Sequence, residues 1–204
     1  MIIPTEISGA EKRLARLQHA VDPVEVRQGI IALGHVLGPR TADIVRGEFG
    51  ALDDVLCVVV LRGGALMYPG FAGAFPEADF CMVGMRRSPD QQSVEHEYLT
   101  AIPRASYRAT IYIDCIAATG GTLLAAGALV SARCTTGPEL AAVISSAAVA
   151  TERLHLAGID LLGFSLYEDL RGPVVAPDLG RLDAGDLFSG SAKRPGPDGP
   201  GSDG

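Results

Sequence analysis

TIYIDCIAATGGT, residues 110–122, is the stretch around which the rest of the chain is organised. Its β-branched and aromatic residues at 110–113 predict a buried strand. A glycine pair then opens a segment, residues 123–130, whose pattern is helical apart from one glycine. Asp114 lies at the carboxyl end of the strand, where α/β sheets bind their ligands.

The turn after this strand has the properties of a phosphate cradle. Free backbone N–H groups at the start of the helix, together with the helix dipole, suit a phosphate monoester. Glycine at positions 120 and 121 would let the anion reach the main chain, and the hydroxyls of Thr119 and Thr122 add donors. An ordinary strand–turn–helix is the alternative, because short glycine motifs occur in many unrelated proteins.

A second strand end repeats this arrangement. The continuous apolar run of residues 55–61 predicts a central parallel strand, and Arg62, Gly63 and Gly64 follow it directly. An arginine at that position can fork onto a phosphate while nearby amides assist. The alternative is an arginine paired with a carboxylate such as Asp114.

A third strand, residues 79–85, leads into a polar stretch, residues 86–98. Few apolar anchors occur there, which favours a loop or a β-arm that closes over a ligand, with Arg87 at its base. A solvated surface loop is the alternative.

The other segments complete an α/β chain. Helices are predicted over residues 8–20 and from Pro23 onward, and Gly38-Pro39 is expected to kink or end the second before a further piece at 41–46. Strands at 140–149 and 159–166 flank a short helix at 150–157. Alternating strands and helices predict a mainly parallel central sheet flanked by helices. Neither G-x-G-x-x-G nor a P-loop motif occurs, which disfavours dinucleotide and P-loop enzymes.

The C-terminal part divides into an apolar-anchored loop rich in glycine, proline and aspartate, residues 172–188, and a tail of low complexity. We therefore predict one domain over residues 1–189 and a disordered tail over 190–204.

Composition excludes several classes of partner. A net charge of −7 argues against nucleic-acid binding, and no apolar run approaches the length of a membrane span. Four scattered cysteines without metal-ligand spacing predict reduced core thiols. The first residues lack the pattern of a secretory signal, so we expect a cytoplasmic protein.

The order of these motifs resembles uracil phosphoribosyltransferases. The matching segments are residues 59–67, 83–87, 113–122, 176–180 and 183–186, and the likeness covers roughly residues 10–190. The resemblance implies a type I phosphoribosyltransferase fold with a flexible loop or β-arm and a C-terminal base-binding segment. It also implies 5-phosphoribosyl 1-diphosphate (PRPP) with Mg²⁺, bound mainly through the diphosphate, and a nucleobase as the second substrate. With the polar N-terminal helix it further suggests a homodimer or larger homo-oligomer.

The resemblance also assigns residues to roles. Asp114, Arg62 and Arg87 are implied to act in catalysis, beside the ribose hydroxyls, the pyrophosphate and the base of the flexible loop respectively. The remaining phosphate-binding residues are implied to be Gly63, Ala117, Ala118, Thr119, Gly120, Gly121 and Thr122. The implied base-binding residues are Val175, Gly180, Leu182, Asp183 and Ala184.

The base-handling segment departs from the family pattern. Gly180 is separated from Asp183 by two residues where the family has Pro-Gly-Leu-Gly-Asp, and Leu187 replaces the family's final arginine. Uracil is the leading acceptor. Transfer to a different heterocycle and a non-catalytic PRPP-binding regulator are the alternatives.

Overall fold

The computed structural model describes residues 22–87 and 94–167, together with Ala10, Arg13 and Leu17 from the preceding segment. These three residues are helical, as predicted for residues 8–20, and Ala10 and Leu17 are buried. The N-terminal segment therefore packs against the rest of the chain through part of its surface.

A seven-stranded sheet forms the centre of the described structure. Its strand order is β3-β2-β1-β5-β7-β8, and β9 pairs with the far end of β7. All neighbouring strands run parallel except β2 and β3, which confirms the predicted α/β class. A separate two-stranded sheet joins β4 and β6. The strands are β1 (Val55–Leu61), β2 (Asp79–Arg87), β3 (Val94–Leu99), β4 (Ser106–Tyr107), β5 (Ala109–Ala117), β6 (Thr135–Thr136), β7 (Glu139–Ala147), β8 (Ile159–Leu162) and β9 (Ser165–Tyr167).

Helices cover both faces of the large sheet. They are α1 (Pro23–Phe49), α2 (Tyr68–Ala74), α3 (Gly121–Ser131) and α4 (Ala148–Leu156), and a short 3₁₀ helix (Gly63–Leu66) follows β1. Alternate residues of β1 enter two different cores. Cys57 and Val59 pack with α1 and α2, whereas Leu56 and Val58 pack with α3 and α4. Burial on both faces explains the uninterrupted apolar sequence of this strand.

The first long helix, α1, begins as its sequence predicts. The Asp22 carboxylate accepts a hydrogen bond from the Val24 N–H at 3.3 Å, and Pro23 occupies the first turn. At the other end, Gly50 adopts a left-handed conformation with φ of 80°, and its N–H donates to the Arg46 carbonyl.

The expectation that the helix ends at Gly38-Pro39 is wrong, because α1 continues through Pro39 to Phe49. The alternative expectation, a kink at this position, stays a prediction. An interior proline costs roughly 3 kcal/mol. Leu37 before the proline and Val45 after it are buried in the same core, and burying each such side chain contributes about 1.5–3 kcal/mol. Tertiary packing on both sides of Pro39 therefore offsets its local cost.

The last predicted strands differ in detail. β7 ends at Ala147, where α4 begins two residues before its expected start. The single strand expected at 159–166 is divided into β8 and β9, which pair with opposite ends of β7. Gly163 and Phe164 separate them, and the Phe164 N–H donates to the Ile144 carbonyl at 3.0 Å.

All four cysteines are buried free thiols, as the sequence predicts. Burial is the largest cause that raises the pKa of Cys57, and it raises the pKa of Cys81 to about 12. These two thiols are therefore protonated and unreactive at neutral pH. None of the helices within residues 22–87 and 94–167 combines the length and apolar character needed to cross a bilayer.

Candidate active site

Two loops lie side by side at the carboxyl edge of the sheet. β1 and β5 are parallel neighbours with Val59 opposite Ile113, so the segments that follow them leave the same edge. We call residues 62–66 the β1 loop and residues 117–122 the β5 loop. The structure thus brings the two glycine-bearing strand ends to one edge, as a mainly parallel sheet predicts.

Direct contacts join the β1 loop to strand β5. The Cys115 Sγ donates a hydrogen bond to the Gly63 carbonyl oxygen at 3.1 Å. Gly64 lies so close to β5 that a Cβ there would collide with the Ile113 carbonyl oxygen. The peptide bond between Leu61 and Arg62 is cis. The β1 loop is therefore held against the strand that carries the candidate acid.

Asp114 was predicted at the carboxyl end of its strand, but it lies within β5, because the pairing with β7 continues through Ile116 to Ala117. Its side chain is half-buried, and Oδ1 accepts a hydrogen bond from the Cys115 N–H at 2.7 Å. Arg62 is exposed and begins the neighbouring β1 loop. A carboxylate on β5 and a guanidinium just after β1 thus belong to neighbouring strands, which suits a substrate carrying both developing positive charge and anionic groups.

The β5 loop has the strand–glycine–helix geometry predicted for a phosphate cradle. Gly120 has φ of +74°, in the left-handed region that favours glycine. Helix α3 begins at Gly121, and its N-cap residue, Gly120, has no side chain to bond the first-turn amides. Thr119 is exposed, and its Oγ1 lies 3.4 Å from the Gly121 amide, at the long end of hydrogen bonding.

Helix α4 contacts the β5 loop, a feature that the sequence did not predict. Arg153 Nη1 donates to the Thr119 carbonyl oxygen at 2.7 Å. A Cβ at Gly120 would be in contact with the Ala150 carbonyl and with Leu154, at 3.4 Å from each. Arginine on a surface helix gives no sequence signal for such a contact, because the loop lies 34 residues away along the chain.

A β-arm extends from the sheet where the sequence predicted a loop or arm. β2 and β3 pair in antiparallel register as far as Arg87 and Val94, and the ring of Tyr98 lies over Gly84. The side chain of Arg87 and residues 88–93 lie outside the described structure. The role of Arg87 therefore stays a prediction.

The predicted base-binding residues also lie outside the described part of the chain, which ends at residue 167. They are Val175, Gly180, Leu182, Asp183 and Ala184. The proposed domain boundary at 189 and the tail at 190–204 lie there too, so these stay predictions. Within the described residues, no three His, Cys, Asp or Glu side chains converge as a metal site.

Comparison with known proteins decides the family. Residues 17–152 match the family model described as uracil phosphoribosyltransferase, which is more than half of the chain. The chain belongs to the uracil phosphoribosyltransferase family. The matched residues include both loops of the candidate site and the β-arm, and they end before the predicted base-binding segment.

Curated relatives of this uracil phosphoribosyltransferase family agree with the match at modest identity. The uracil phosphoribosyltransferase of Methanothermobacter thermautotrophicus is 24% identical over 187 residues, covering 83% of this chain and 86% of that protein. That of Dictyoglomus thermophilum is 28% identical over 151 residues, covering 72% of each. The AQ2163 protein from Aquifex aeolicus is similar in fold, with a TM-score of 0.75 at 16% identity, covering 92% of this chain and 97% of that one. With the observed sheet, family membership confirms the expected type I phosphoribosyltransferase fold.

Proposed function

We propose that the protein transfers the 5-phosphoribosyl group of PRPP to a nucleobase, with uracil as the leading acceptor and UMP and pyrophosphate as products. The observation that carries the proposal is the pairing of the β1 and β5 loops on adjacent parallel strands, in a chain of this family. One loop would hold the ribose 5-phosphate and the other the diphosphate, so the two anionic ends of PRPP would span the sheet edge between them.

The reaction follows from this placement. The bond between the anomeric carbon and the diphosphate oxygen breaks, and its electron pair leaves with pyrophosphate. A bond then forms from a base nitrogen to that carbon, and the nitrogen's proton is lost. Positive charge builds on the ribose in the transition state, where Asp114 would stabilise it, and Arg62 would stabilise the charge on the leaving group. No protein nucleophile is needed.

The residues present fit Mg²⁺ carried mainly by the substrate. Mg²⁺ is commonly held by one or two carboxylates together with phosphate oxygens and waters rather than by a complete protein cage. Asp114 offers a carboxylate at the same edge as the diphosphate-binding β1 loop, and the described residues contain no competing cluster of metal ligands. When bound, Mg²⁺ would neutralise diphosphate charge. Arg62 and the β1 loop would orient that group.

Pyrophosphate release against a panel of bases tests the proposal. The protein is incubated with PRPP and Mg²⁺, and uracil, cytosine, orotate and purine bases are added one at a time. Turnover on uracil supports uracil salvage. Turnover only on another base supports the alternative acceptor, which the altered segment at 178–187 favours.

A thermal-shift measurement with PRPP and Mg²⁺ separates an enzyme from a regulator. A rise in Tm without pyrophosphate release on any base supports a non-catalytic PRPP-binding regulator. The absence of both responses would contradict PRPP binding itself.

Assembly and location are further parts of this proposal. We expect a homodimer or larger homo-oligomer, which sedimentation of the purified protein measures directly. A cytoplasmic location is expected for the same protein, and fractionation of the source cells tests it.

A further inference from the structure

Arg153 makes a contact with the β5 loop that none of the assigned roles includes. It lies in the last turns of α4, and its Nη1 donates to the Thr119 carbonyl oxygen at 2.7 Å. A hydrogen bond from a charged donor at this distance is among the stronger ones in proteins. Its acceptor is the main chain of the proposed phosphate cradle, so the arginine acts on the loop rather than on a neighbouring side chain.

Peptide geometry gives this contact a consequence for phosphate binding. The C=O and N–H of a trans peptide unit point in opposite directions. The bond between Thr119 and Gly120 is not among the cis peptides of the structure. A Thr119 carbonyl directed at α4 therefore directs the Gly120 N–H away from α4.

Helix α4 is itself well anchored, so it can act as a fixed support. Leu154 is fully buried in the core beneath the sheet. Thr151 Oγ1 donates to the Ala147 carbonyl at 3.2 Å and lies 3.3 Å from Ser146 Oγ, at the end of β7. Since β7 is the parallel neighbour of β5, the support and the loop are fixed to adjacent strands.

We infer that Arg153 is a positioning residue for the ribose 5-phosphate cradle, holding the peptide between Thr119 and Gly120 so that the Gly120 amide is presented to the phosphate. This inference rests on the proposed function of the β5 loop. The guanidinium acts through the main chain and does not itself contact the phosphate. A group fixed in advance avoids an ordering cost when the ligand binds.

The test compares Arg153→Met, Arg153→Lys and the control Arg133→Met in the full chain. Arg133 is exposed and follows the carboxyl end of α3, an 11-residue helix about 16 Å long, so its substitution removes the same charge far from the cradle. Two probes report on separate loops: ribose 5-phosphate on the β5 loop and inorganic pyrophosphate on the β1 loop. Their affinities are measured by calorimetry, together with Tm and the KM values for PRPP and the base.

We expect Arg153→Met to weaken ribose 5-phosphate binding about tenfold, as loss of one hydrogen bond from a charged group would. Pyrophosphate affinity, the KM for the base and Tm should stay at their wild-type values. Arg153→Lys, which keeps a charged donor, should recover most of the affinity, and Arg133→Met should change none of these quantities.

Two results would overturn the inference while leaving the proposed function standing. One is wild-type ribose 5-phosphate affinity in Arg153→Met. The other is an equal loss for both probes with a lower Tm, which would indicate that Arg153 only stabilises α4 through its helix dipole. If the wild-type protein binds neither probe, the proposed function itself fails, and this inference with it.

Discussion

Replacing Gly64 with alanine tests how closely the two loops depend on each other. Gly64 is buried against β1 and β5, and an added Cβ would collide with the main-chain oxygen of Ile113 and contact Val59 Cγ1 at 3.4 Å. The main obstacle is the backbone of a central strand rather than the end of a flexible side chain. The β1 loop must therefore move, because β5 is held by strands on both sides.

The size of the effect follows from this geometry. The two backbones would have to separate by roughly 1 Å before the contact became tolerable. Overpacking of this kind costs about 1–3 kcal/mol, which lowers the Tm of a chain of this length by roughly 2–12 °C. A displacement of about 1 Å in a substrate-positioning loop can reduce turnover about 100-fold. We therefore expect kcat/KM for PRPP to fall far more than stability alone would explain.

The assay has a matched control in the same region of the chain. Gly73 lies in α2, is exposed, and has no heavy atom within 4 Å of an added Cβ. Gly73→Ala should raise the stability by about 0.5–1 kcal/mol and leave activity unchanged, because alanine is the better helix former. Pyrophosphate release and thermal unfolding are measured for both variants. Wild-type activity and Tm in Gly64→Ala would refute the argument that the two backbones are in contact.

Three further substitutions test the site and the fold. Asp114→Asn should lower turnover about 100-fold with little change in Tm, as loss of one electrostatic stabiliser does; undiminished pyrophosphate release would remove its assigned role. Gly121→Val should abolish PRPP binding in calorimetry, because a branched side chain would block the main chain from the phosphate; unchanged affinity would contradict the cradle. Burial, assisted by the hydrogen bond to Asp79, raises the pKa of Tyr107 to about 12 from its ordinary value near 10. The folded state thus favours the neutral phenol, so the free energy of unfolding should fall as the pH rises from about 10 to about 12. In Tyr107→Phe this fall should be less steep; the same slope in both proteins would contradict the raised pKa.

Elements with a strong local pattern could be predicted from the sequence. The apolar run of β1 and the strand–glycine–helix pattern at β5 both specify their structure within about a dozen residues. β1 has the predicted bounds, whereas β5 extends past the predicted residues 110–113 to Ala117 and the helix after it begins at Gly121. The error at Pro39 has the opposite origin. The Gly-Pro pair predicts that the helix ends there, but burial of residues on both sides of Pro39 keeps the chain helical. That burial depends on the tertiary fold, so the local sequence does not show it.

The contacts that fix the site could not be predicted in this way. The Cys115 thiol reaches the Gly63 carbonyl across 52 residues of chain, and Arg153 reaches Thr119 across 34. Both involve main-chain acceptors, which every residue carries, so no residue type marks them in the sequence. Sequence patterns predict which loops bind anions, whereas the structure shows what holds those loops in place.

From these contacts we expect PRPP binding and base selection to depend on different parts of the chain. The Cys115 hydrogen bond and the close approach of Gly64 both hold the β1 loop against β5, the strand that leads into the β5 loop. We therefore expect the sheet to set the spacing between the two proposed phosphate sites. The predicted base-binding residues lie in a separate segment, after residue 167. If that segment binds the base as predicted, we expect changes in it to alter which base is accepted and to leave PRPP affinity unchanged. A chain whose 178–187 segment departs from the family pattern can therefore keep the same transfer chemistry, and a change of acceptor should appear in the KM for the base rather than in the affinity for PRPP.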